Sequence, residues 1–320
     1  MIPSRLEIEA ACSRVRPIVH RTPVLTSTLL NELAGANLFF KCENFQKMGA
    51  FKMRGAVNAI QQLTKAQKEA GVVTHSSGNF AQAVSLAARN LGVKAYIVMP
   101  DNAPSVKKAA VKDYGGIITV CESTLAAREA ASQKIIQETG ATFLHPSNDL
   151  NVILGNATAT AELIEEHTEL DFVFAPVGGG GLIAGTALAA HHLSPKTKII
   201  GGEPFAVDDA YRSLQSGKIE SNDTTATIAD GLRTQLGDVN FPIIQQLVSE
   251  IIRVEEQEIV AALQLVWERL KIIIEPSCAV PVAALFRDKQ RFQHKKIGII
   301  LSGGNIDVHN LPFGNLKLES

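Results

Sequence analysis

Short apolar runs alternate along this chain with longer stretches whose apolar positions recur every three or four residues. That is the pattern of parallel strands covered by helices. "NLFFKCE" leads into "KMRGAVNAIQQL", "GVVTHSS" into "NFAQAVSLAARNLG", and "KAYIVMP" into "APSVKKAAVKDYG". "GIITVCE" then leads into "STLAAREAASQKIIQETG", and "TFLHP" into a helix ending near Glu166. Further strands are expected at "DFVFAPV", "TKIIGGEP", "EIIRV" and "KIGIILSGG". Gly92, Gly115 and Gly140 fall just past three of the helices, where a C-terminal cap belongs. The expected fold is α/β, with two open, mostly parallel twisted sheets carrying helices on both faces. One sheet is assigned to a small domain, residues 65–147, and the other to a large domain made of 1–64 and 148–320.

With 320 residues, 46% of them hydrophobic, the chain can bury two cores. A net charge of −1 with interspersed signs argues against a nucleic-acid surface or a polybasic membrane patch. The run "KKAAVK" reads as a solvated helix face. Phe172 to Ala190 is uncharged for nearly the length of a membrane span, but Pro176 and Gly178 to Gly181 interrupt it. The N-terminus has no long apolar run, so neither a signal peptide nor a membrane partner is expected. Cys12, Cys42, Cys121 and Cys278 lack CxxC spacing, which fits reduced thiols in the cytoplasm better than a zinc site.

Ligands of open parallel sheets bind beyond the carboxyl ends of the strands, and four such turns are unusual here. Gly178, Gly179, Gly180 and Gly181 follow a strand and open a helix at Leu182. Unpaired amides and a dipole worth about half a positive charge make that turn a phosphate site. A P-loop is excluded, because Thr186 and Ala187 rather than a lysine follow Gly185. A loose GxGxxA formed by Gly179, Gly181 and Ala184, with Glu203 as a ribose-binding acid, keeps an NAD-dependent oxidoreductase on a Rossmann sheet as the alternative. Lys52 lies between Phe51 and Met53 at a helix head. An amine in that setting loses its proton easily and can form a Schiff base, although FKMR alone also describes a snorkelling surface lysine. "HSSGN" offers Ser76, Ser77 and Asn79 at a helix start, and in isolation is an ordinary N-cap. "LSGGN" places Ser302 before two glycines that allow a flat ligand to approach, or simply make a turn.

In this order, "FKMRGA", "SSGN", the glycine tetrad and "SGGN" resemble the fold-type II pyridoxal-phosphate enzymes, within them the serine racemase and serine/threonine dehydratase family. "HRTPVLTS", "KCENFQKMGAFKMRGA", "IADGLR", "LVWERLKIIIEPS" and "LSGGNIDV" extend the resemblance across essentially the whole chain. The resemblance implies a tryptophan synthase β-like fold and pyridoxal 5'-phosphate bound to Lys52, with Phe51 packed beside the ring. It further implies that Asn79 meets the phenolic oxygen, that backbone amides of Gly178 to Gly181 and Leu182 hold the phosphate, and that Ser302 faces the pyridine nitrogen. Ser77 would stand across the cofactor plane from Lys52, so that two acid–base groups address opposite faces of Cα, as racemisation requires.

The implied activity is dehydration of serine, threonine or a related β-hydroxy amino acid to a 2-oxo acid and ammonia, with serine racemase activity beside it. A 3-hydroxyaspartate dehydratase is the alternative within the family. "EPFAVDD" matches the family's divalent-cation motif, with Glu203, Val207 and Asp209 as ligands for Mg²⁺ or for Ca²⁺ or Mn²⁺. Ser27, Thr28, Lys47, Gln82, Tyr114, Lys271 and Asn305 match a nucleotide site at a subunit interface, which implies a homodimer and ATP as an allosteric effector. Three departures stand out: Met48 for threonine, Phe80 for histidine after SSGN, and "GNATATAE" for a GQGT-type helix start. No long extension follows Asn305, so no regulatory amino-acid-binding domain is expected.

Overall fold

The structure, a computed structural model, describes residues 2–308 and 311–313. Its strands are β1 (Val24–Leu25), β2 (Asn37–Cys42), β3 (Val72–His75), β4 (Ala95–Pro100) and β5 (Ile117–Cys121). They continue as β6 (Thr142–Phe143), β7 (Phe172–Pro176), β8 (Lys198–Pro204), β9 (Glu250–Val254) and β10 (Lys296–Leu301). Six form one sheet in the order β1-β2-β10-β7-β8-β9, and four form a second in the order β5-β4-β3-β6. All pairs are parallel except β1 with β2. The second sheet draws all its strands from between residues 65 and 147. In β8 and β10 every residue after the first is buried, because helices cover both faces of the six-stranded sheet.

Gly92, Gly115 and Gly140 take φ values of 68°, 88° and 72° just past their helices, as the sequence predicts. The segment Gly155 to Glu162 behaves differently from its expected place at a helix start. The helix runs Leu150–Glu166 and begins at Asp149, whose carboxylate accepts from the amides of Asn151 at 2.8 Å and Val152 at 3.2 Å. Gly155 is therefore a mid-helix residue, there because a Cβ would lie 2.4 Å from the Arg54 carbonyl oxygen. The run at Lys107 to Lys112 is not wholly solvated either: Lys107 Nζ reaches Asp230 at 2.7 Å. Among the described residues no helix is long and apolar enough to cross a membrane.

A network of buried charges joins β2 to the helices Lys52–Gln61 and Leu150–Glu166. The Arg54 side chain, with no solvent exposure, donates through Nε and Nη2 to Glu43 at 2.7 and 2.9 Å. It also donates to Glu162 from Nη1 and Nη2, each at 2.8 Å. Lys41 Nζ donates to the same Glu162 at 2.7 Å and to the Thr22 carbonyl at 2.7 Å. Burial would raise the Glu162 carboxyl, but Arg54 and Lys41 outweigh it and hold the group below the usual carboxylate range. Two cations and two carboxylates balance, so removing one strands an unpaired buried charge. Arg54→Met is expected to lower unfolding stability by about 3–5 kcal/mol in urea denaturation. A loss under about 1 kcal/mol would show that the network contributes little.

Candidate active site

The head of the Lys52 helix is tied to the end of β10. The Phe51 amide donates to the Ser302 carbonyl at 3.0 Å, Gly304 donates to the Gly49 carbonyl at 2.9 Å, and Ala50 bridges Gly303. Lys52 is the first residue of its helix, where the amide end carries partial positive charge. Its Nζ donates to the Pro146 carbonyl at 2.6 Å and lies 5.1 and 5.5 Å from the ring centres of Phe51 and Phe80. Burial lowers the amine to about 8, against the opposing pull of the Glu275 charge. Phe80, read in the sequence only as a departure, thus forms part of the apolar wall that makes the lysine easier to deprotonate.

The loop after β3 meets the loop after β10 through side chains. Asn79 Nδ2 donates to the two Glu275 oxygens at 2.9 and 3.1 Å, and its Oδ1 accepts from Asn305 Nδ2 at 2.9 Å. The Asn305 amide also donates to Glu275 at 3.2 Å, and the Glu275 amide donates to the Gly303 carbonyl at 3.0 Å. Burial, reinforced by the Asp230 charge, raises the Glu275 carboxyl to about 7. Sequence reasoning assigned Glu275 no role. The available signal was an acid between "III" and a helix-opening proline, since an ionisable group at the end of an apolar run needs partners. Ser302 is buried at the end of β10, and Ser77 is half-buried in the loop that carries Asn79.

Each glycine of the tetrad is pressed against protein. A Cβ would meet the Leu232 Cα at 2.7 Å from Gly178, and Ser147 Oγ at 2.4 Å from Gly179. It would meet Asn240 Oδ1 at 2.7 Å from Gly180 and the Ser147 Cα at 2.8 Å from Gly181. Gly180 also has a φ of 78°. The helix Gly181–Leu193 starts without a side-chain cap, so its first amides have no partner in their own helix. An anion is what such an end accepts. Ser147, packed on the tetrad, follows the Pro146 that holds Lys52, so the amine and the amide cradle share one connecting segment.

Glu203, Val207 and Asp209 come together at the end of β8, all fully buried. Glu203 accepts from the amides of Ala210 at 3.0 Å and Tyr211 at 2.8 Å, and so caps the start of the helix Asp209–Ser216. Asp209 accepts from Asn222 Nδ2 at 2.6 Å and the Leu236 amide at 3.0 Å. Burial first, then Asp209, raises Glu203; burial raises Asp209 to about 6. Of the residues matched to a nucleotide site, Ser27 caps the helix Thr28–Ala34, and Lys47 Nζ donates to the Ile18 carbonyl. Lys271 and Asn305 line an open cavity of about 470 Å³ together with Phe45 and Ile273.

A family model described as pyridoxal-phosphate dependent enzyme matches residues 15–303. The chain is 47% identical over 312 residues to a beta-hydroxyaspartate dehydratase of Paracoccus denitrificans, spanning 98% of this chain and 99% of that one. It is 48% identical over 311 residues to a serine racemase of Dictyostelium discoideum, covering 95% of each. The structure of maize serine racemase matches with a TM-score of 0.94 and 45% identity, over 97% of this chain and 95% of that one. A lysine amine lowered by burial, joined by one short segment to a cap-free amide cradle, suits an aldehyde with a phosphate tail. With that geometry and these matches together, the chain belongs to the family of pyridoxal-phosphate-dependent enzymes.

Proposed function

We propose that the protein is a dehydratase of β-hydroxy amino acids, converting serine, threonine or 3-hydroxyaspartate to a 2-oxo acid and ammonia, with serine racemase activity beside it. The observation that carries this reading is the Lys52 amine, brought to about 8 by burial beside the glycine cradle. Pyridoxal phosphate on Lys52 would supply the electron sink for a carbanion at the substrate's Cα. The amides of Gly178, Gly179, Gly180, Gly181 and Leu182 would hold its phosphate, Phe51 would pack beside its ring, Asn79 would meet its phenolic oxygen and Ser302 its pyridine nitrogen. Lys52 Nζ, once released to the substrate side, would take the Cα proton. A neutral hydroxyl at Ser302 cannot keep the pyridine protonated as a carboxylate would, which favours loss of the β-hydroxyl over a long-lived carbanion. The Ser77 hydroxyl would exchange a proton on the opposite face of Cα.

A dicarboxylic substrate is supported by the likeness to the beta-hydroxyaspartate dehydratase of Paracoccus denitrificans, 47% identical to this chain. His145, lowered to about 4 by burial and then by His75 and Lys52, stands close to that amine. Burial and then Arg128 lower His75 in the same way. Both imidazoles are therefore neutral near pH 7, and His145 Nδ1 accepts from the amides of Ser147 at 3.2 Å and Asn148 at 2.8 Å, so the pair can offer a substrate hydrogen bonds but no positive charge. Glu203, Asp209 and the Val207 carbonyl would hold Mg²⁺, Ca²⁺ or Mn²⁺. Burial and the Asp209 charge raise Glu203, and a divalent ion between the two acids would offset that cost. A homodimer, regulation by ATP at the cavity beside Asn305, and a cytoplasmic setting for the four unpaired cysteines complete the reading.

Three measurements test it. Capture of the vitamer by the cofactor-free protein, followed as an imine absorbance that borohydride bleaches, is expected to accelerate with pH through an inflection near 8. The sign follows from the lowered lysine value, because only the neutral amine attacks; an inflection above 10, or capture by Lys52→Ala, would remove the premise. Ser77→Ala is expected to slow racemisation of L-serine about 100-fold while pyruvate formation stays within about threefold. Equal loss of both rates would assign Ser77 elsewhere. Added Mg²⁺ is expected to raise the melting temperature of the wild type and leave Glu203→Gln unmoved. A shift of the same size in both would take the ion away from this motif.

A further inference from the structure

The segment that departs from the family pattern holds the phosphate cradle from behind. Asn156 is fully buried in the helix Leu150–Glu166, and its Nδ2 donates to the Gly181 carbonyl at 3.2 Å. That carbonyl and the Leu182 amide belong to one peptide group, and hydrogen bonds in series polarise one another. A donor on the carbonyl therefore strengthens the amide that opens the phosphate helix. The other Asn156 atom, Oδ1, is buried with no hydrogen-bond partner among the described residues. A group left in that state costs stability, so its presence needs a reason other than packing.

The surroundings fix where this side chain can act. Three helices touch backbone to backbone around it. A Cβ at Gly155 would lie 2.4 Å from the Arg54 carbonyl oxygen, and one at Gly185 would lie 2.6 Å from the Ile153 carbonyl oxygen. A Cβ at Gly55 would lie 2.7 Å from Asn156 Oδ1 itself. Asn156 thus stands where the lysine-bearing helix, its own helix and the phosphate helix converge. Between the last two, the pair Thr160 Oγ1 and Thr186 Oγ1 at 3.1 Å adds a second polar tie one turn further on.

We propose that Asn156 is a positioning residue for the cofactor's phosphate, acting through the Gly181–Leu182 peptide and fixing the cradle against the lysine helix. The inference rests on the cofactor reading above and extends it to a side chain that does not touch the ligand. The test compares binding of pyridoxal 5'-phosphate and of pyridoxal, which lacks the phosphate, by the full chain freed of vitamer and reloaded, each followed by its imine absorbance. Asn156→Leu keeps the volume and removes both polar atoms, so the fold is expected to melt at or above the wild-type temperature. Affinity for the phosphorylated vitamer is expected to fall about tenfold, while affinity for pyridoxal changes less than about twofold. Asn156→Ala, which opens a cavity and lowers stability, is expected to show the same selectivity. Equal weakening of both vitamers would reduce Asn156 to a packing residue, and unchanged binding of both by the leucine variant would also overturn the proposal. If the wild type captures neither vitamer, the cofactor reading itself fails and this inference falls with it.

Discussion

The site depends on a buried charge network that fixes the lysine-bearing helix from the side away from the chemistry. Two residues beyond Lys52, Arg54 spends its guanidinium on Glu43 and Glu162, and Lys41 completes the set. Such pairs are weak sources of net stability, because the desolvation of each charge offsets much of the attraction. They are strong sources of geometry, since any displacement leaves a charge unpaired in a dry interior. Glu43 lies just past the end of β2, and Leu301, opposite Cys42 in the register, places Ser302 beside it. The network and the Phe51–Ser302 bond therefore grip the head of one helix from two directions.

Glycine plays two parts in this arrangement, and the proposed phosphate site draws on only one. Gly55, Gly155 and Gly185 let three helices approach until backbone meets backbone. The tetrad at Gly178 to Gly181 meets the same demand from Ser147, Leu232 and Asn240, while its amides remain uncapped. Close protein packing and the proposed anion site would thus select the same residue at the same places. The packing pressure also explains why one or two glycines would not have been enough.

The alternation of apolar runs made both sheets and their parallel sense legible, because strands covered on both faces are apolar throughout. The glycine caps were legible for the same local reason. The start of the helix at Leu150 was not, since Asp149 caps it without the glutamate or glutamine three residues on that completes a capping box, and Gly155 resembled an opening. In the site, Lys52, Asn79, the tetrad and Ser302 could be named in advance because each lies in a short motif. Glu275 and Asn156 were missed as working groups because their meaning lies in partners far along the chain. Asn79 stands 196 residues from Glu275, and Gly181 stands 25 from Asn156. No local spacing encodes either contact.

Part of the Lys52 value is set by the charge on Glu275. The ionised carboxyl holds the amine up toward 8, and burial in turn holds the carboxyl near 7. When acid neutralises Glu275, that support vanishes and the amine gives up its proton more readily. The loss partly cancels the tendency of acid to protonate the lysine. The neutral amine therefore persists to lower pH than an isolated group titrating near 8 would allow. Asn79, donating to Glu275 while accepting from Asn305, ties this compensation to the loop that also carries Ser77.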